Sequence, residues 1–217
     1  MNRRRICFGL PAGFLAACRP AAPVPVAAVS YRLLEPPWAG RWEPAGIPEQ
    51  GKIALAEGEL SLEAGGPMTG ARFAAWGELE LGDRPYTISY AARRLEGEDF
   101  FGTVTFPVPG RGASVSFVLG GWGGSVMGIS SIDFSDANEN STRGEHRFSS
   151  GNWYRVRLTV TPDLIEARLD ERLVVSTAIK GRQIGLRPGF IDHCLPFGFA
   201  SYGTFARIKD VIAGTVD

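Results

Sequence analysis

Gly120-Gly121-Trp122-Gly123-Gly124 sets one tryptophan among four glycines. Glycines bare the backbone and let another surface come close. The indole between them offers a flat apolar face to the C–H face of a sugar ring, and its N–H can donate to a hydroxyl. Gly121, Trp122 and Gly123 are therefore candidate carbohydrate contacts; the alternative is a glycine-rich bend with Trp122 packed in the core. Ile132 to Asn140 concentrates oxygen ligands of the kind calcium takes, about six to eight per ion. Asp133, Asp136, Asn138 and Asn140 are the candidate set, and calcium is the one cofactor the sequence suggests. The spacing is not that of an EF-hand, so a solvated polar loop is the alternative. If this loop lies near Trp122, Asp133 and Asn138 could also bond sugar hydroxyls.

Cleavage of a glycoside usually needs two carboxyl groups, about 5–5.5 Å apart for retention or about 6.5–9.5 Å for inversion. Residues i and i+2 of a strand share a face at about 6.6–6.8 Å. Glu78 and Glu80, with Asp83 close by, offer such a pair, or else an exposed strand edge. Asp99 heads the Phe100-Phe101 pair and is the candidate catalytic acid near the proposed face; its alternative is a strand end facing water. Arg155 and Arg157 share a strand face with Trp153, a row that can bind acidic sugars by charge and stacking or simply face solvent. Cys194 follows His193, but adjacent side chains on an extended chain point to opposite faces, which leaves an inert buried thiol. With only His146 and His193 and no cysteine cluster, a zinc site is not expected. No nucleophile elbow, phosphate loop or nucleotide fingerprint occurs.

The elements that must position these groups read as strands. In Trp153 to Thr161, Tyr154, Val156, Leu158 and Val160 fall on one face and Arg155, Arg157 and Thr159 on the other. After a turn at Pro162-Asp163, Ile165, Ala167 and Leu169 alternate with Glu166 and Arg168, and a second turn leads to Leu173–Thr177. This predicts a three-stranded antiparallel meander with one wet face. Tyr86–Ala92, Phe101–Val108, Ala113–Leu119, Ser125–Ile129, Pro196–Tyr202 and Phe205–Ala213 add further strands. Pro and Gly punctuate nearly every window of helical length. The chain is therefore expected to be all-β, a sandwich or a barrel.

Arg3, Arg4 and Arg5, then apolar Ile6 to Ala17, read as a secretory signal ending before Cys18. Leu15-Ala16-Ala17-Cys18 resembles a bacterial lipobox, which implies a lipidated Cys18 and a protein held at a membrane by its lipid, facing the periplasm or cell exterior. Residues 19–30 are a Pro/Ala-rich tether. Residues 31–217 suit one domain. Lys plus Arg and Asp plus Glu number 23 each, and no basic stripe is apparent, so nucleic acid is not an expected partner.

Gly151-Asn152-Trp153-Tyr154-Arg155-Val156-Arg157-Leu158-Thr159-Val160-Thr161, Ile165–Asp170 and Pro196–Val211 resemble concanavalin A-like (laminin G-like) jelly rolls. More narrowly, they resemble 3-keto-disaccharide hydrolase-like domains, abundant in planctomycetes. The resemblance covers roughly residues 40 to 214. It implies a two-sheet antiparallel β-sandwich, export as a lipoprotein, a carbohydrate ligand, and cleavage of glycosides oxidised at C3. Many such domains carry an Asn-Ser-Gly strand followed by Glu-x-Gln-Ile-x-Asp. Here Asp99–Phe106 and Ser116–Gly124 stand in the comparable region without those carboxylates and amides, so no catalytic residue carries over.

Overall fold

The computed structural model of the protein describes residues 28–216. In chain order its strands are β1 Ser30–Arg32, β2 Trp42–Pro44, β3 Ile53–Ala56, β4 Glu59–Leu62, β5 Met68–Phe73, β6 Tyr86–Glu96, β7 Thr103–Val108 and β8 Ala113–Gly120. They continue as β9 Val126–Ser130, β10 Gly144–Glu145, β11 Tyr154–Val160, β12 Leu164–Leu169, β13 Arg172–Ala178, β14 Gly198–Tyr202 and β15 Phe205–Thr215. One sheet of eight runs β13-β12-β11-β6-β15-β4-β3, with β1 also paired to β15; the other, of seven, runs β10-β9-β8-β7-β14-β5-β2. The sheets stack face to face, as alternating apolar strands must to bury their dry sides. This is the all-β, two-sheet sandwich expected from the alternation.

The predicted antiparallel meander forms: Leu158 lies opposite Ala167 and, on its other side, Ile88. Tyr154, Val156, Leu158 and Val160 are buried while Arg155 and Arg157 are exposed. Aromatic rings fill the space between the layers. Phe199 on β14 meets Tyr90 on β6 at 4.9 Å, so the pair spans the two sheets. The Tyr90 hydroxyl donates to the Gly102 carbonyl at 2.9 Å, and burial raises its pKa. Gly102 has φ +67, and a Cβ there would come within 2.7 Å of the Ala92 side chain. The strand expected from Phe101 therefore starts at Thr103.

The first third of the chain holds five strands that the alternation did not reveal, β1 to β5. β1 pairs with the end of β15, Ser30 opposite Gly214, and Val29 N–H donates to Thr215 Oγ1 at 3.0 Å. The segment with Glu78 and Glu80 is not a strand. Trp76–Glu78 is a 3-10 turn, Glu78 pairs with Arg41, and Asp83 accepts from Gly110 N–H. Gly77, Gly82 and Pro85 interrupt any ladder there, so the expected i, i+2 carboxylate pair does not form.

A smaller core of Ile47, Met68, Ile191, Cys194 and Ala200 includes residues of β5 and β14 and of the 3-10 turn Phe190–Cys194. Gly70 leaves room for it: a Cβ there would sit 2.9 Å from Cys194 Sγ. His193 and Cys194 thus lie on a helical turn rather than on extended chain. They still diverge, the imidazole toward the Ala45 carbonyl and the thiol toward that of Phe199. Burial, and secondarily the charge of Asp192, pushes the Cys194 thiol up to about 12 from its ordinary 9.0. Iodoacetamide at pH 8 should therefore leave Cys194 unlabelled in the folded protein and label it fully in urea. Peptide mass spectrometry at Cys194 reads this directly, and rapid native labelling would contradict it.

Candidate functional site

The outer face of the seven-stranded sheet carries a groove of about 490 Å³, a typical size for a ligand site. Thr103 of β7, Ser116 and Val118 of β8 and Ser130 of β9 form its floor. They face outward because Val104, Phe106, Phe117, Leu119 and Ile129, next to them in sequence, point into the core. The floor hydroxyls are held in place: Ser116 Oγ lies 2.8 Å from Thr105 Oγ1, Thr103 Oγ1 accepts from Leu119 N–H, and Ser130 Oγ donates to Asp136 at 3.0 Å.

Aromatic side chains stand along the rim. Phe100 and Tyr202 approach at 5.7 Å, and Trp122, Phe190 and Tyr202 are 37%, 40% and 42% exposed. Trp122 lies on the glycine turn that leaves β8. Gly120, Trp122, Gly123 and Gly124 all have positive φ, and a Cβ at Gly124 would lie 2.3 Å from the Glu98 carbonyl. Only the glycines make so tight a return possible; Trp122 itself adopts φ +49, a conformation that costs about 1–2 kcal/mol for a side chain of its kind.

Two groups hold this turn. Asp99 Oδ2 accepts from Gly123 N–H at 3.0 Å, and its Oδ1 accepts from Phe100 N–H at 2.7 Å. Arg187 lies over the Trp122 ring at 5.6 Å and pairs with Asp136 at 3.2 Å. Trp122 and Arg187 thus stand together in the wall, braced by Asp136, which also accepts from Ser130 of the floor. Among the described residues lining the groove, Asp99 is the one carboxylate. Asp99→Asn should keep one acceptor and little change in stability, while Asp99→Ala should free the turn. The expected sign is faster amide exchange at Gly123 in Asp99→Ala alone; equal exchange in both variants would show that Asp99 does not fix the turn.

The polar loop is held by its own arginines. Asp133 accepts from Arg182 Nε at 2.8 Å and from Gln183 N–H at 2.9 Å; the Arg182 hydrogen bond, then that of Gln183, lowers its pKa. Asn138 accepts from Arg143, and Asn140 bonds the Ile129 and Ser135 carbonyls while accepting from Thr142. The four expected calcium ligands therefore face different partners. No group of three or more His, Cys, Asp or Glu suited to a metal occurs among the described residues. Guanidinium groups supply the positive charge for which a calcium ion was expected. Asp136 reaches the groove wall through Arg187, whereas Asp133 stands at the Ile132–Ser135 turn.

Arg155 and Arg157 lie on the other sheet, on its outer face, and do not reach the groove. The candidate residues therefore separate into three places: Asp99 with Gly121–Gly123 at the groove, Asp133, Asp136, Asn138 and Asn140 in the polar loop, and the arginines on the other sheet. Thr103, Ser116, Ser130, Arg187, Phe190 and Tyr202 were not among the sequence candidates. Cys18, the signal of residues 1–18 and residues 19–27 of the tether lie outside the described residues.

No family model and no curated protein sequence matches the chain. Solved structures do. The Crh5 transglycosylase in complex with NAG superposes with a TM-score of 0.56 at 8% identity, over 88% of this chain and 84% of that one. Carbohydrate binding module CBM66 from Bacillus subtilis gives 0.50 at 13%, over 79% and 93%. A prokaryotic β-1,3-1,4-glucanase (lichenase) derived from a mouse hindgut metagenome gives 0.50 at 12%, over 88% and 99%. The chain has the concanavalin A-like jelly-roll fold. At such identities the fold is what these proteins share with it.

Proposed function

We propose that the groove of this jelly roll binds a carbohydrate chain and does not cleave it. The observation that carries the reading is Trp122, exposed on a strained glycine turn at the edge of a hydroxyl-lined floor, with Asp99 the one carboxylate among the described residues lining the groove and both its oxygens already accepting backbone N–H groups. The aromatic ring stacks on a sugar face, and the fixed hydroxyls exchange hydrogen bonds with the sugar. Cleavage by the usual route needs a second carboxyl group across the bond. The solved structures that share the fold include proteins named as a transglycosylase, a carbohydrate binding module and a glucanase, which supports a carbohydrate ligand.

Calorimetric titration of the full chain against a glycan panel, with and without calcium, tests this reading, with product analysis on glucosides and their 3-keto forms. Saturable heat, no product and no calcium effect are expected. Turnover would move the protein to the hydrolase reading that the resemblance to 3-keto-disaccharide hydrolase-like domains implies. Loss of that turnover in Asp99→Asn would then identify its acid.

We further propose, from the signal-like residues 3–18 alone, that the protein lies outside the cytoplasm, anchored through Cys18. Cys18→Ser should move it from the membrane fraction to the soluble one and remove the lipid mass from its N-terminal peptide. An unmodified Cys18 in the wild-type protein would end that part of the proposal.

A further inference from the structure

The outer face of the eight-stranded sheet carries a charge pattern that its neutral chain does not require. Arg157 lies directly opposite Arg168 across β11 and β12, and Arg93 directly opposite Arg207 across β6 and β15. Like charges facing each other across strands destabilise a sheet. Between these pairs runs a third row: Arg155 faces Ala91, which in turn faces Lys209. Compensation is partial: Glu59 lies opposite Lys209, and the Asp170 carboxylate accepts from Arg155 N–H. Glu59 is shared between Arg207 at 3.1 Å and Arg93 at 3.5 Å, and Glu171 reaches Arg157 only at 4.0 Å. Arg93 Nε and Arg207 Nε are buried without a hydrogen-bond partner among the described residues. Arg93 and Lys209 also lie over the ring of Trp153, at 4.4 and 4.6 Å.

We infer that this face is a second binding site, for an acidic polysaccharide bearing carboxylate or sulfate groups. Strands hold the cations at fixed intervals, and Arg155 and Lys209 stand two inter-strand spacings apart, about 9.5 Å. Such a row suits anions that recur along a polymer, and guanidinium groups bind carboxylate and sulfate with two parallel hydrogen bonds. The rings and chains in the middle of the face argue against a bilayer. Thr87, Ser89 and Ala91 occupy its centre, and Trp153 is held by two cations rather than free to insert. The site lies on the sheet opposite the groove and does not depend on what the groove binds.

Heparin, a sulfated uronate polysaccharide, is the probe. The full chain should bind it at about 50 mM salt and release it as salt screens the charges. Arg155→Glu with Arg157→Glu should weaken binding at least about tenfold. Arg155→Gln with Arg157→Gln removes the charge without new repulsion and serves if the reversed variant fails to fold. No binding at low salt, or equal binding by the wild type and the glutamine variant, overturns the inference. So does attachment to phosphatidylserine vesicles that the glutamine variant loses while heparin goes unbound, since that result assigns the face to a lipid surface.

Discussion

Phe199→Ala is expected to lower the unfolding free energy by about 3–5 kcal/mol. Phe199 is fully buried and packs on Tyr90 of the opposite sheet at 4.9 Å, on Trp42 at 5.7 Å and on Phe197 at 5.7 Å. Truncation removes the ring that links the layers, and three neighbouring rings are too rigid to close the hole. A loss of this size is a large part of the roughly 5–15 kcal/mol that holds a domain of ordinary stability. Urea unfolding followed by tryptophan fluorescence measures it, with Trp42 beside the cavity as reporter. Thr159→Ala on the wet face of β11 is the control and should stay within about 0.5 kcal/mol. A Phe199→Ala loss below about 1 kcal/mol would mean that the two sheets do not meet through this side chain.

The second large effect separates binding from stability. Trp122→Gly should weaken glycan binding about five- to thirtyfold, which corresponds to about 1–2 kcal/mol, while the protein becomes no less stable. Trp122 has φ +49, which glycine adopts without strain. Its ring touches the Arg187 guanidinium and the groove rather than the main core. A side chain kept in an unfavourable backbone conformation at a groove edge is kept for what it contacts there. The same variant would behave in the opposite way if Trp122 were a packing residue, with lost stability and unchanged binding. Titration and thermal unfolding of one protein sample therefore decide between the two roles.

The residues differ in how much of this they announced. The meander was legible because Tyr154 to Ala178 alternates cleanly and each strand pairs with its chain neighbour. β1 to β5 were not, since they run for only three to six residues among Pro and Gly. Four glycines around one tryptophan marked the turn at 120–124 in the sequence itself. The floor and rim had no such mark: Thr103, Ser116, Ser130 and Tyr202 come from four strands, and only sheet order brings them together. The acidic loop was read as a cation site because its sequence concentrates oxygen acceptors. The donors that satisfy it, Arg182 and Arg187, lie some fifty residues further on, as the 49-residue separation of the Asp133–Arg182 contact shows. Arg155 and Arg157 were read correctly as one face, but alternation within a strand cannot say which sheet that strand joins.

The pairing of β1 with the last residues of β15 also has a mechanical meaning. Val29 and Thr215 bond each other, so the polypeptide enters and leaves the fold side by side. Tension applied between its two ends would open this ladder like a zipper, one rung at a time. Tension between the entry point and a ligand held in the groove would instead have to pass through the stacked rings that join the two layers.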